Sequence, residues 1–155
     1  IYRGRPGNNA AKEALAAITN PCCVTGGLDD VAPGRDVFIG VSKPGVLSKE
    51  TVSRMNKGAI VFALANPDPE ITITDALNAG AAVATDGRSM NNALAFPGIM
   101  RGTLDSGVST ITPAMKIAAA RAIAESAPSG VLLPNLLSPA VHKHVAQAVA
   151  KAAGG

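Results

Sequence analysis

Two stretches of this sequence carry uncharged amides where a small anion could be gripped. The first is Asn66, which closes the apolar run Phe62-Ala63-Leu64-Ala65 and is followed by Pro67, Asp68 and Pro69. Proline restricts the residue before it to extended backbone, so no helix runs on through Asn66 and its side chain is held at the end of the run. An amide both donates and accepts hydrogen bonds without adding charge, which suits a carboxylate or a carboxamide lying against a reacting centre. It suits an Asx-turn equally well, and the residue types leave both readings open. The second stretch is Asn91-Asn92, where two amides in series follow another apolar run and either cradle an anion or satisfy the backbone of a polar loop.

Other candidates are weaker. "GVSKPG" (40 to 45) follows an apolar stretch, so that Val41 and Ser42 either line one side of a ligand or form a simple turn. None of the sixteen glycines falls in a G-x-G-x-x-G pattern, so the pyrophosphate-binding turn of a dinucleotide domain is not found in these residues. Asp29 and Asp30 suit a helix end or turn better than acid-base work. His142 and His144 are two apart on a predicted helix, point to different faces and do not share a metal. Asp86, Arg88 and Asp105 read as ion-pair or loop residues. Cys22 and Cys23 are adjacent, which is neither a metal knuckle nor a redox C-x-x-C, and implies reduced thiols.

These residues must be placed by a chain of 155 residues, the size of one domain with one core. Only 3% of the residues are aromatic, so that core has to be built from Ala, Val, Ile and Leu. The net charge of +3 is spread over separated Lys and Arg, without the basic stripe or aromatic platforms that nucleic-acid binding uses. No apolar run reaches membrane-spanning length.

The elements alternate. A helix is predicted over 9–18, with Ala10, Ala11, Ala14, Leu15 and Ile18 forming its apolar face. "DVFIGV" (36 to 41) and "AIVFALA" (59 to 65) read as strands apolar on both sides, hence covered on both. "AAVAT" (81 to 85) is a third. Between them lie helices opened by Ser48 and by Thr72, the latter with Asp75 at capping-box spacing. Beyond the third strand come a short helix from about Pro97, a long one entered by Thr112-Pro113 with Met115, Ala118, Ala119, Ala122 and Ile123 on one face, and a last one from Ser138-Pro139 with Val141, Val145, Ala148 and Val149 inward. Strands alternating with helices imply an α/β fold, a doubly wound parallel sheet whose ligands gather beyond the carboxyl ends of its strands. Asn66 stands at such an end.

Four ordered motifs, "DVFIGVSKPGVLSKE", "IVFALANPDPEI", "NNALAFPGIMRGTLD" and "ITPAMKIAAARAIAE", resemble the cofactor-binding domain of bacterial-type malic enzymes, and the likeness runs from "IYRGR" to "AVAKAA". The resemblance implies NAD- or NADP-dependent oxidative decarboxylation of malate to pyruvate with Mg²⁺ or Mn²⁺, in a homodimeric cytoplasmic enzyme. It implies that Asn66, Asn91 and Asn92 meet the substrate, and that Val41, Ser42, Asn66 and Asn92 meet the cofactor. In that family the general base Lys, the general acid Tyr, the acidic metal ligands and the Gly-rich turn precede a segment like "IYRGR". The expectation is therefore that residues 1–155 form one partial NAD(P)-binding domain, a carboxyl-terminal portion with no catalytic or metal-ligating residue of its own. The strand "VFIGV" with "KPG" also resembles methylene-tetrahydrofolate dehydrogenases, an alternative that "ALANP" followed by "NNALAFPG" argues against. A further alternative is that the isolated chain is a non-catalytic binding or dimerising module. Only Met90 separates "GRS" from "NN", where the family has a longer loop, so ligand contacts carried by that loop are expected to differ here.

Overall fold

The computed structural model describes residues 1–90 and 92–154, and the chain forms two compact units, Ile1–Ser89 and Met90–Gly155. The first unit contains α1 (Ala10–Ile18), α2 (Leu28–Val31), β1 (Val37–Gly40), α3 (Lys49–Ser53), β2 (Ile60–Ala63), α4 (Ile73–Asn78) and β3 (Val83–Asp86). The three strands pair in parallel in the order β1-β2-β3. In register, Gly40 lies opposite Ala63 and Ala63 opposite Asp86, so the three carboxyl ends stand level and their loops leave from one edge.

Short local signals start the crossover helices. Ser48 Oγ accepts the Thr51 N–H at 3.0 Å and Thr72 Oγ1 accepts the Asp75 N–H at 3.1 Å, each satisfying a donor that the first helical turn leaves open. The Thr72–Asp75 box is half made, because the Asp75 carboxylate instead meets Lys49 Nζ at 2.8 Å on the surface of α3. Ser48→Ala is expected to cost about 1 kcal/mol, read as a lower urea midpoint at unchanged m-value.

The core of this unit lies on one face of the sheet, where Leu47, Val52, Met55, Ile71 and Ala76 pack against Val61 and Ala63. Its opposite face is less covered than the sequence predicts. Thr85 is buried there and Phe62 half-buried, but Val37 and Ile39 of β1 are 48% and 64% exposed. The apolar face predicted for α1 stays open, with Ala10, Ala11, Ala14, Leu15 and Ile18 all exposed; the helix instead buries Ala16, which the prediction did not place on that face. Periodicity locates an apolar stripe; whether anything lies across it depends on packing that the stripe does not encode.

The second unit has a 3₁₀ turn (Asn92–Leu94) and three helices, α5 (Phe96–Ser106), α6 (Pro113–Glu125) and α7 (Pro139–Ala153). Met115, Ala119 and Ala122 of α6 meet Val141, Val145 and Val149 of α7 in its core, while Ala118, Ile123 and Ala148 are half-buried at the margin. Close approach of α5 to α7 requires Gly102: a β-carbon there would lie 2.5 Å from the Ala146 carbonyl oxygen. Among the described residues, no helix is long and apolar enough to cross a membrane.

Candidate functional site

The level strand ends place the candidate residues of the first unit on one edge. Val41 and Ser42 leave β1, and Asn66 follows β2. Asn66 is exposed, the Asn66–Pro67 bond is cis, and the Asn66 side chain makes no hydrogen bond among the described residues. An Asx-turn is therefore not what occupies this amide. From the loop after β3, Arg88 donates to the Pro67 carbonyl at 3.2 Å and reaches Asp68 at 3.6 Å, which braces the segment on the far side of Asn66. Asp86 accepts the Ser89 N–H at 2.9 Å, a bond that holds its carboxyl below the ordinary range.

The residue that organises this edge is one the motif reading passed over. Glu70 is wholly buried, although its type and its place in a Pro-rich loop suggest a solvated acid. Oε1 accepts the Ser42 N–H at 2.7 Å and the Ser42 hydroxyl at 3.3 Å, and Oε2 accepts the Ala65 N–H at 3.1 Å. Burial alone would raise the Glu70 pKa, but these donors together with its own backbone N–H outweigh burial and hold the group below the usual carboxylate range. A depressed pKa stabilises the fold fully above the unfolded-state value, and that contribution fades as pH falls through the folded-state value. Space for the carboxylate exists because residue 40 is Gly. No signal in the sequence marks this arrangement: Glu70 follows a strand that ends in Ala63, and the glycine that makes room for its carboxylate closes the strand before that one.

Ser42 thus spends its N–H and its hydroxyl proton inside the protein, leaving the hydroxyl lone pairs for a ligand, whereas the Val41 side chain is 78% exposed. Asn91 and the side chain of Asn92 lie outside the described residues; the backbone of Asn92 opens the 3₁₀ turn of the second unit. The remaining sequence candidates have structural partners. Asp30 Oδ2 accepts the Gly27 N–H at 2.8 Å at the start of α2, Asp29 accepts the Thr51 hydroxyl proton, and Asp105 pairs with Arg101 at 2.8 Å. His142 bonds the Leu136 carbonyl and His144 meets Ser126, so the two histidines diverge. Cys22 and Cys23 are free thiols on the surface.

Residues 82–154 match the family model "Malic enzyme, NAD binding domain". Across 98% of its length the chain is 50% identical to the bifunctional malic/malolactic enzyme of Bacillus subtilis, and across 99% it is 42% identical to the NAD-dependent malic enzyme of Geobacillus stearothermophilus. The chain belongs to the malic enzyme family. It spans 39% and 34% of the length of those two relatives. Among solved structures, the NAD-dependent malic enzyme of Thermotoga maritima superposes with a TM-score of 0.85 at 40% identity, over 92% of this chain and 39% of that one. The malic enzyme of Entamoeba histolytica superposes with a TM-score of 0.87 at 31% identity, over 99% of this chain and 35% of that one. The open parallel sheet with its helices is thus the Rossmann-like fold of the malic enzyme NAD-binding domain, and the fold expected from strand and helix alternation holds.

Proposed function

We propose that this chain is part of an NAD(P)-dependent malic enzyme that oxidatively decarboxylates malate to pyruvate, and that residues 1–155 belong to its NAD(P)-binding domain. The observation that carries the reading is Asn66, exposed at the level strand ends with its amide free of partners among the described residues and next to the loop bearing Val41 and Ser42. The nicotinamide of a bound NAD(P) would supply the hydride acceptor. Around it, Val41 offers an apolar surface, Ser42 its hydroxyl lone pairs, and Asn66 a neutral amide that holds the carboxamide or a substrate carboxylate without competing for the hydride. Asn91 and Asn92 are proposed as substrate contacts, and Asn92 also as a cofactor contact, on the resemblance of their motif to that of the family. The reading extends to a cytoplasmic homodimer with no nucleic-acid or membrane partner.

The divalent ion implied by the family does not fit the residues in hand: among the described residues no three His, Cys, Asp or Glu side chains are grouped to hold one. Catalytic acid and base are likewise assigned to none of these residues, so the isolated 155 residues are expected to bind without turning malate over. Pyruvate formation by this chain alone, assayed with NAD(P)⁺ and Mn²⁺, would overturn that assignment.

Asn66 is tested in the whole protein. Asn66→Ala is expected to lower kcat/KM for malate severalfold or more at an unchanged melting temperature, because the side chain is exposed and stabilises nothing. Unaltered malate kinetics would reduce Asn66 to a loop residue.

A further inference from the structure

The loops that follow β1 and β2 are joined along their length. Leu64 N–H donates to the Gly40 carbonyl at 2.9 Å, Gly45 N–H to the Pro69 carbonyl at 3.2 Å, and Leu47 N–H to the Glu70 carbonyl at 3.1 Å. These bonds tie the two loops together on either side of Ser42 and Ala65, which themselves have no backbone partner across the gap among the described residues. The Glu70 carboxylate fills it, with one oxygen on each N–H. Ala65 is the residue before Asn66, and Ser42 the residue after Val41.

We propose that Glu70 is the positioning residue of this site, setting the main chain at Ser42 and Ala65 so that the Val41–Ser42 and Asn66 sides of the ligand surface are held in one fixed relation. The inference rests on the ligand roles given to those residues above. An ionised carboxylate is what the geometry demands, since both oxygens face N–H donors and neither can be replaced by a donor. The group makes no salt bridge among the described residues, so its charge is met by neutral donors: the Ser42 and Ala65 N–H groups, the Ser42 hydroxyl and its own backbone N–H. Glu70 touches neither substrate nor cofactor; it acts through the backbone on either side.

Glu70→Gln keeps the shape and turns one acceptor oxygen into an NH₂ that must face an N–H. In the whole protein, well below the melting temperature, this variant is expected to raise both the NAD(P) Kd and the malate KM about tenfold. Hydrogen exchange in the peptides containing Ser42 and Ala65 should accelerate. Ser48→Ala, which weakens the same unit at a helix cap away from the site, is the control for mere destabilisation and should move neither constant by as much as twofold. In an Asn66→Ala background, Glu70→Gln should leave malate KM within twofold, because the group through which Glu70 acts on malate is already gone.

Unchanged exchange at both peptides, or constants that shift no further than in Ser48→Ala, would overturn the proposal. Should Asn66→Ala by itself leave malate KM unaltered, the substrate role of Asn66 fails separately, and Glu70 is then decided by exchange at Ser42 and Ala65 together with the cofactor Kd. If Gln at position 70 prevents folding, Glu70→Asp serves the same purpose: it keeps the charge but is one methylene too short to span both loops. Retained protection of both amides in that variant would also refute the clamp.

Discussion

Gly40→Ala is expected to destabilise the protein by about 1–3 kcal/mol, the range for overpacking a filled site, and to weaken ligand binding as a secondary effect. The reason is space and not backbone freedom, since the φ of Gly40 is not among the positive ones. A β-carbon at position 40 would stand 2.5 Å from Glu70 Cδ, 2.6 Å from Glu70 Oε1 and 2.8 Å from Phe38 Cε1. An ordinary surface carboxylate would swing aside, but this one is fixed by bonds to two loops and has no solvent to move into. If it does give way, the Ser42 and Ala65 N–H groups lose their acceptor, and each buried donor left unsatisfied costs about 1–3 kcal/mol. Urea denaturation followed by helical circular dichroism measures the loss. The same substitution in a Glu70→Ala background should cost much less, because the obstructing group is gone, and the difference is the coupling energy of the pair. An equal cost in both backgrounds would show that Glu70 is not what fills the space above Gly40.

Met115→Ala should cost about 2–5 kcal/mol, the range for truncating a buried Met. Met115 is fully buried in the core shared by α6 and α7, against Val145 and Val149, which are themselves inaccessible. Neither helix can collapse freely into the space, since α5 already holds α7 through the close contact of Gly102 with the Ala146 carbonyl. The expected signature is a lower urea midpoint at unchanged m-value, with faster amide exchange in residues 113–125 and 139–153. Leu137→Ala, at a side chain 83% exposed, should change stability by no more than about 0.5 kcal/mol. A Met115 variant as mild as that one would mean that the core of this unit lies elsewhere.

Both effects arise from contacts between residues far apart in sequence, and this separates what was legible from what was not. Ser48, Thr72 and Thr112 were readable as helix starts because a cap acts on an amide three residues ahead, and all three hydroxyls make that bond. The faces of α6 and α7 were readable because a period of 3.6 residues is carried by the helix itself. Asn66 was readable as a strand-end amide because Pro67 constrains it locally. Nothing local marks Glu70. It sits in a loop among prolines, and its burial depends on a glycine in another strand and on donors that the pairing of β1 with β2 brings within reach.

By itself the amino-acid sequence determined the parallel α/β plan, the capped starts of α3, α4 and α6 and the motifs that resemble malic enzymes, because turn chemistry, caps and hydrophobic period act over a few residues; it did not foresee α2 or the length of α5. Only the tertiary structure decided that the three strand ends stand level, that Asn66 has no partner among the described residues while Ser42 is engaged, and that a buried carboxylate joins the two loops. Strand register fixes all of these at once, and register is set by side-chain packing across the sheet, which no single segment contains.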